Sequence, residues 1–363
     1  MADRVAERPL SPAPAEPHRK PRPPSGGSGL LSGPGARSIG LMAALLVLAG
    51  ALLASVLVGY QQLSVADVYI AYAGFTGSDT DLVVRHLRVP RTLAGLAVGA
   101  ALGVSGVLVQ GVTRNPLGDP GILGINAGAA LAAVLAISVL GVSALLGYVA
   151  FAFLGAAAAA CAVYAVGSLG PDGAGPVRLA LAGAAISALL GSLTSAIILR
   201  DRASLDEYRF WVVGSLAGAD GAALLQALPF LTAGLVLAVA LARPLNAVAL
   251  GDELARSLGT RLWLVRGASA LAVVLLAGTA TAAAGPIGFV GVAVPHIARA
   301  LVGPDHRWVL PWSAVLAPVL LLVADVVGRV VARPEELQVG IVTALVGAPF
   351  FILLVRRRRA AGL

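Results

Sequence analysis

Charge is scarce in this chain. Asp, Glu, Lys and Arg make up 12% of its 363 residues, where a soluble domain carries about 25%. A chain so poor in charge cannot cover its own surface in water, which excludes an ordinary soluble enzyme. Its 58% apolar content and mean hydropathy of +0.90 exclude a disordered one. Lysine is nearly missing, since Lys20 stands alone among 26 basic residues. Cysteine is reduced to Cys161, inside an apolar run, so neither an intrachain disulfide nor a Cys-rich metal site can form. The phosphate loop Gly-x-x-x-x-Gly-Lys-Ser/Thr is absent, as are His-Glu-x-x-His and Gly-x-Ser-x-Gly. The chain therefore binds no ATP by that loop and shows no sequence motif for hydrolysis. Acidic residues placed for proton coupling are almost lacking, Asp325 being the nearest.

What the chain has is long charge-free runs. A bilayer core takes about 20 apolar residues per helix, and the runs accommodate ten spans. The first fits 39–60 and the second 92–113. The charge-free stretch 120–171 is too long for one helix and divides near 141–147. Further spans cover about 179–199 and 221–242, and 267–298 divides at Gly285-Pro286. The last two are about 309–327 and 337–355. The fold class is thus an all-α polytopic membrane protein with about ten transmembrane helices in one bundle. The net charge of +8, which in a soluble protein would suggest nucleic acid, falls instead in short islands between spans. Threading places 18 of the 26 basic residues on one side and 8 on the other, so both termini are expected in the cytoplasm of a multi-pass plasma-membrane protein. Residues 1–38 read as a disordered basic Pro/Gly-rich tail, 39–357 as the ten-helix domain and 358–363 as a short basic tail. A secretory signal is not expected, because the first apolar stretch is long enough to span.

Five polar islands interrupt the spans. In 85–91 (RHLRVPR), Arg85, Arg88 and Arg91 lie outside against the charge bias, and Pro90 is read as fixing the start of the helix. They either snorkel to the interface or dock an acidic partner. In 113–120 (TRNPLGDP), Asn115 and Pro116 supply the chemistry of a tight cytoplasmic turn. In 250–261 (LGDELARSLGTR), Asp252 and Glu253 open a short helix, Gly259 ends it, and Arg256 suits its dipole. Such a helix is either a solvated loop or a docking element. In 285–299, Gly285, Pro286, Gly288 and Pro295 crowd a segment that must break or kink. His296 there is read as a structural hydrogen-bonding residue rather than a metal ligand. Asp325 and Arg329, one turn apart, form either an ion pair or a functional site within the membrane.

Several of these islands, with neighbouring stretches, fall into ordered motifs: 87–93 (LRVPRTL), 113–124 (TRNPLGDPGILG), 250–259 (LGDELARSLG), 285–299 (GPIGFVGVAVPHIAR), 305–307 (DHR), 324–329 (ADVVGR) and 339–350 (VGIVTALVGAPF). Across about 82–355 the chain resembles the FecCD permease family, the membrane subunits of ABC importers for iron–siderophore complexes, haem and cobalamin. The resemblance implies a permease without chemistry of its own. Its partners would be a second permease subunit (a copy or a paralogue), two ABC ATPase subunits, an extracytoplasmic binding protein and membrane lipid. A ferric siderophore would be the substrate, with no nucleic acid, cofactor, metal or catalytic residue involved. Loop 249–262 matches the family's coupling helix, which gives Asp252, Glu253, Ala255, Arg256 and Gly259 the role of seating the ATPase. Arg88, Arg91 and Arg329 match arginines that receive carboxylates of the binding protein. Asn115, Pro116, Gly285, Pro286, Gly288, Pro295, His296 and Asp325 are assigned structural or gating roles. The tail lies outside the family core, and Gln338 stands where relatives often have proline. A haem or cobalamin permease is the alternative of the same type. An ion-coupled secondary transporter would need mid-span carboxylates, and an intramembrane hydrolase would have to unite Ser105 with His296.

Overall fold

The computed structural model describes residues 29–142, 145–169, 176–200 and 211–361. Among them are twelve helices: α1 (Pro34–Leu57), α2 (Val65–Ala73), α3 (Asp79–Thr113), α4 (Ile125–Ser138), α5 (Leu145–Ser168), α6 (Pro176–Ile198), α7 (Gly221–Ala249), α8 (Asp252–Ser257), α9 (Leu262–Ala284), α10 (Val290–Val302), α11 (His306–Val331) and α12 (Val339–Ala361). Seven of these are long and apolar enough to cross a membrane. The shorter apolar helices α4, α10 and the 339–350 part of α12 bring the total to ten. Helices α2 and α8 are short and lie at opposite ends of the bundle, one after the first pass and one after the sixth.

Helix α3 is the axis. Of its most apolar window 78% is buried, against 22% for α1. The sequence reason is a stripe of glycines at 95, 99, 103 and 106 along one face, since small residues let backbones approach closely in lipid. Side-chain carbon added at Gly99 would meet the backbone of Pro318, and at Gly103 the Ala317 methyl and Ser313 carbonyl, both on α11. At Gly106 it would overlap the Gly291 carbonyl oxygen of α10. Helices α4 and α5 cross the same way, each with a glycine (Gly128, Gly155) against the other's carbonyl.

The expected breaks near 141–147 and at 285–286 are present, while α7, α9 and α11 run several residues beyond the expected spans and three further boundaries move. Helix α1 starts at Pro34, with proline in the first turn where its missing N–H costs nothing. Ahead of it the Leu30 and Leu31 N–H groups donate to the Ala300 and Leu301 carbonyls at the end of α10, at 3.1 and 2.8 Å. The tail expected over 1–38 is therefore bonded structure from Leu30, while 1–28 lies outside the described residues. Helix α3 begins at Asp79 rather than near 92. Ser78 caps it, and a π-turn over Val83–Arg88 hands over to the regular helix at Val89. Pro90 is thus inside a continuous helix, tolerated because the wider turn precedes it. Helix α12 runs to Ala361, past the expected limit at 357.

The glycine stripe carries a test. Gly106→Leu should destabilise the bundle by about 1–3 kcal/mol or more, because the facing atom is backbone and cannot rotate away. Gly50→Ala, with nothing within 4 Å of the added carbon, should leave the thermal midpoint in detergent unchanged or raise it. Equal midpoints for the two variants would remove the close crossing as a packing determinant.

Candidate functional site

At one end of the bundle α8 stands clear of the spans. Gly251 takes φ +106° at its start. At its end the Gly259 N–H donates to the Arg256 carbonyl and the Thr260 N–H to the Ala255 carbonyl, both 2.9 Å, with Gly259 at φ +79°. That double bond with a left-handed glycine is a Schellman stop. Ala255 is fully buried and faces the bundle. Asp252 is held from beneath, 2.8 Å from Arg266 Nη2 on α9 and 3.2 Å from Arg114 Nη2 after α3. Glu253, Leu254, Arg256 and Leu258 point out, the two leucines 54% and 63% exposed. The helix is pinned on one side and offers a mixed apolar and charged face on the other.

The same end is tied together by polar residues that composition alone would have passed over. In the turn after α3 the Leu117 N–H donates to Asn115 Oδ1 at 3.0 Å, and the Gly118 N–H to the Asn115 carbonyl at 2.9 Å. Pro116 sits between them. Gln110 Nε2 donates to the Gly118 carbonyl (3.2 Å) and the Gly291 carbonyl (3.1 Å), while its Oε1 accepts from Arg299. Asn246 of α7 takes the His306 N–H on Oδ1 at 2.9 Å and donates to Asp305 Oδ1 at 2.7 Å. Burial pushes the Asp305 carboxyl up, but the bonds from Asn246 and the Arg307 N–H and the nearby Arg307 charge carry it below the usual range. Asp119, behind the turn, is raised by burial despite accepting from the Gly121 N–H. A lone Gln and a lone Asn within apolar runs were the available signal for these contacts.

Between the ends runs the broken segment. Gly285 (φ +72°) passes so close to the Trp211 carbonyl that no side chain fits. Gly288 is exposed, and Phe289 takes φ +68°, an uncommon conformation for a residue with a side chain. Pro286 lies between the two breaks, its carbonyl against Gly214. The Phe289 ring packs on Gly347 of α12. Pro295 is inside α10, and His296 sets its ring 6.0 Å from Phe350 at 73°. Ser105 donates to the Leu102 carbonyl of its own helix.

At the opposite end Asp325 is the centre of an ion network. Its carboxylate meets Arg91 Nη2 at 2.8 Å and Arg329 Nη2 at 2.9 Å, and its side chain is 1% exposed. Arg91 also reaches Glu336 at 2.6 Å. Arg329 donates to the Ser55 and Val58 carbonyls, each at 2.9 Å, and to Ser55 Oγ, which pairs with Thr92. Arg88 donates to the Val58 and Gln61 carbonyls, and Arg333 to that of Gly59. The guanidinium groups of Arg88, Arg329 and Arg333 thus satisfy carbonyls at the C-terminal end of α1 and just beyond it, where unpaired acceptors and the helix dipole favour cations. Arg88 is 8% and Arg329 1% exposed, and Arg91 is engaged on both sides. Burying a guanidinium costs too much unless its donors are met, and α1 supplies the acceptors.

This network makes a differential prediction. Asp325→Asn leaves the buried Arg329 without its counter-charge and Arg91 with Glu336 alone, and should destabilise by about 3–5 kcal/mol. Glu336→Gln removes a partner whose side chain is 36% exposed and should cost about 0–1 kcal/mol. Thermal unfolding of purified variants in the same detergent separates the two. Similar losses would mean that Asp325 is not the hub.

A family profile, the FecCD transport family, matches residues 45–357. The chain is 45% identical over 327 residues to the ferric enterobactin transport system permease protein FepD of Escherichia coli strain K12, covering 90% of this chain and 97% of that one. It is 41% identical over 317 residues to the probable siderophore transport system permease protein YfiZ of Bacillus subtilis strain 168, covering 87% and 95%. A solved structure of an ABC transporter assigned to the metal-chelate type, in an inward-facing conformation, superposes with a TM-score of 0.77 at 30% identity, over 88% of this chain and 99% of that one. With this match over most of the chain and these relatives, the chain belongs to the FecCD transport family.

Proposed function

We propose that the protein is a permease subunit of an ABC importer that carries a ferric siderophore across the plasma membrane. It works with a second permease subunit, two ATPase subunits and an extracytoplasmic binding protein. The observation that carries this reading is α8: a short, capped helix outside the spans, anchored through Asp252 and Ala255, with Glu253, Leu254, Arg256 and Leu258 turned outward. An element held this firmly on one side and open on the other can transmit a push. Closure of the ATPases on ATP moves α8, and its anchors pass the motion to α3 and α9 through Arg114 and Arg266. Rigid-body gating of this kind needs no chemistry in the permease. The arrangement of basic residues favours the α8 end, with both termini, on the cytoplasmic side. Relatives named for siderophores support that substrate class, while others at 38% identity are named for hemin and cobalamin.

For the binding protein we assign Arg91 the accessible role. Its Nη1 holds Glu336 at the rim, the position an incoming carboxylate would take by displacing Glu336. Arg88 and Arg329 act behind it by fixing the end of α1.

Two measurements test the reading. Uptake by cells expressing the assembled importer should be seen with a ferric siderophore and not with haem or cobalamin at equal concentration. Uptake of haem or cobalamin alone would replace the substrate assignment and leave the class intact. In the reconstituted complex, Leu254→Asp with Leu258→Asp should weaken ATPase seating at least about tenfold, since each leucine buried on docking contributes roughly 1.5–3 kcal/mol. The permease itself should keep its thermal midpoint, because both side chains are outside the core. Full substrate-stimulated ATP hydrolysis in that variant would show that α8 is not the coupling element.

A further inference from the structure

The other element outside the spans is α2, and its surface differs in kind from that of α8. Its first turn is closed by a capping box. The Ser64 N–H and hydroxyl donate to the Asp67 carboxylate at 2.7 and 2.8 Å, and the Asp67 N–H donates back to Ser64 Oγ at 3.1 Å. One side of the helix is buried: Ala71 and Val68 join Leu63, Val84 and Leu57 in a small apolar cluster under the end of α1. Val65, Tyr69 and Tyr72, at i, i+4 and i+7 on another face, are 61%, 72% and 54% exposed. Tyr60 before the helix and Phe75 after it are exposed as well. The one charge on the helix, Asp67, is spent on the cap.

Arg85 secures the far end. Its Nε donates to the Ala71 carbonyl at 2.6 Å and its Nη2 to that of Tyr72 at 3.4 Å, which satisfies the last turn of α2. The same guanidinium lies 5.0 Å from the centre of the Tyr72 ring and 4.3 Å from that of Phe75, within range of a cation–π attraction. It therefore both caps the helix and orients two exposed aromatic rings. This accounts for an arginine that stands against the charge bias.

We propose that α2, with Tyr60, Tyr69, Tyr72 and Phe75, is an interfacial anchor that lies in the phospholipid headgroup–acyl boundary at the end of the bundle opposite α8. Three observations favour lipid over a protein partner. The face has no charged residue of its own, and the one guanidinium beside it, Arg85, is engaged by the α2 carbonyls, whereas the charged rim of this end, Arg91 with Glu336, is on other elements. It adjoins an exposed apolar surface, because α1, to whose end α2 is packed, leaves Leu46 and Leu53 exposed on the way to that end. Tyrosine combines an apolar ring with a polar tip, which suits the boundary between hydrocarbon and water. The anchor would set the depth at which α1 ends and α3 begins.

Site-directed spin labelling of the full permease in phospholipid nanodiscs tests this. Cys161, the one native cysteine, is replaced by Ser. Single cysteines are then introduced as Tyr69→Cys, Leu46→Cys as the lipid reference and Glu335→Cys as the water reference. Collision with oxygen relative to a water-soluble nickel chelate should rank Leu46 highest and Tyr69 next, with Tyr69 several-fold above Glu335. Adding Arg85→Ala to the Tyr69 label should raise its mobility and move its ratio towards that of Glu335, while Arg85→Lys should preserve more of both. A Tyr69 ratio equal to that of Glu335 overturns the anchor, as does immobilisation of a water-exposed Tyr69 label by an added binding protein, which would make α2 a protein-docking face. If Arg85→Ala leaves depth and mobility unchanged, Arg85 has no part in the anchor.

Discussion

Away from water, every helix end needs a partner, and that constraint organises this bundle. The end of α1 would leave the Ser55, Val58 and Gly59 carbonyls and that of Gln61 unmet. Three guanidinium groups from α3, α11 and the segment after α11 supply the donors. The end of α10 is met by the N–H groups of Leu30 and Leu31. Where α9 stops, the Ser215 N–H takes the Ala284 carbonyl, and the Gly340 N–H takes that of Gly214. A lost bond in hydrocarbon is not replaced by solvent. Each of these contacts therefore ties two distant parts of the chain together as a condition of folding.

The same accounting explains why arginine is used so heavily. Five donors in a rigid fork let one side chain serve a carboxylate and several carbonyls at once. Arg329 does this with Asp325, Ser55 and Val58, and a lysine could not span those acceptors. The arginines near this end of α3 and α11 thus hold helix ends and carboxylates within the bundle. Only Arg91, through Glu336, keeps a contact at the rim where a partner could compete.

The two helices outside the spans differ in the chemistry of the surfaces they expose. Helix α8 is held by charge from below and offers charge and leucine above, a combination suited to a protein groove. Helix α2 is held by its own caps and offers tyrosine without charge. Between them Phe289, at positive φ, and the tight Gly285 mark a stretch of non-helical backbone between α9 and α10, with the Phe289 ring packed against Gly347 of α12.

The count of spans, the break at Gly285-Pro286 and the short helix ending at Gly259 were legible in the sequence. Each rests on a local rule: a length without charge, a residue without an N–H, a glycine free to take positive φ. The family was legible too, because its motifs lie at those same interruptions. The start of α3 at Asp79 was not, since a π-turn absorbs Pro90 and no local pattern announces one. The partners of the polar residues were not either. Arg91 and Asp325 are 234 residues apart, and Asn246 and His306 are 60 apart. In a soluble helix an apolar stripe would have shown which face turns inward. In lipid both faces are apolar, so hydrophobicity alone cannot orient a span. Which arginine is buried and which surface is left open was decided only when the glycine stripe of α3 brought α10 and α11 against it.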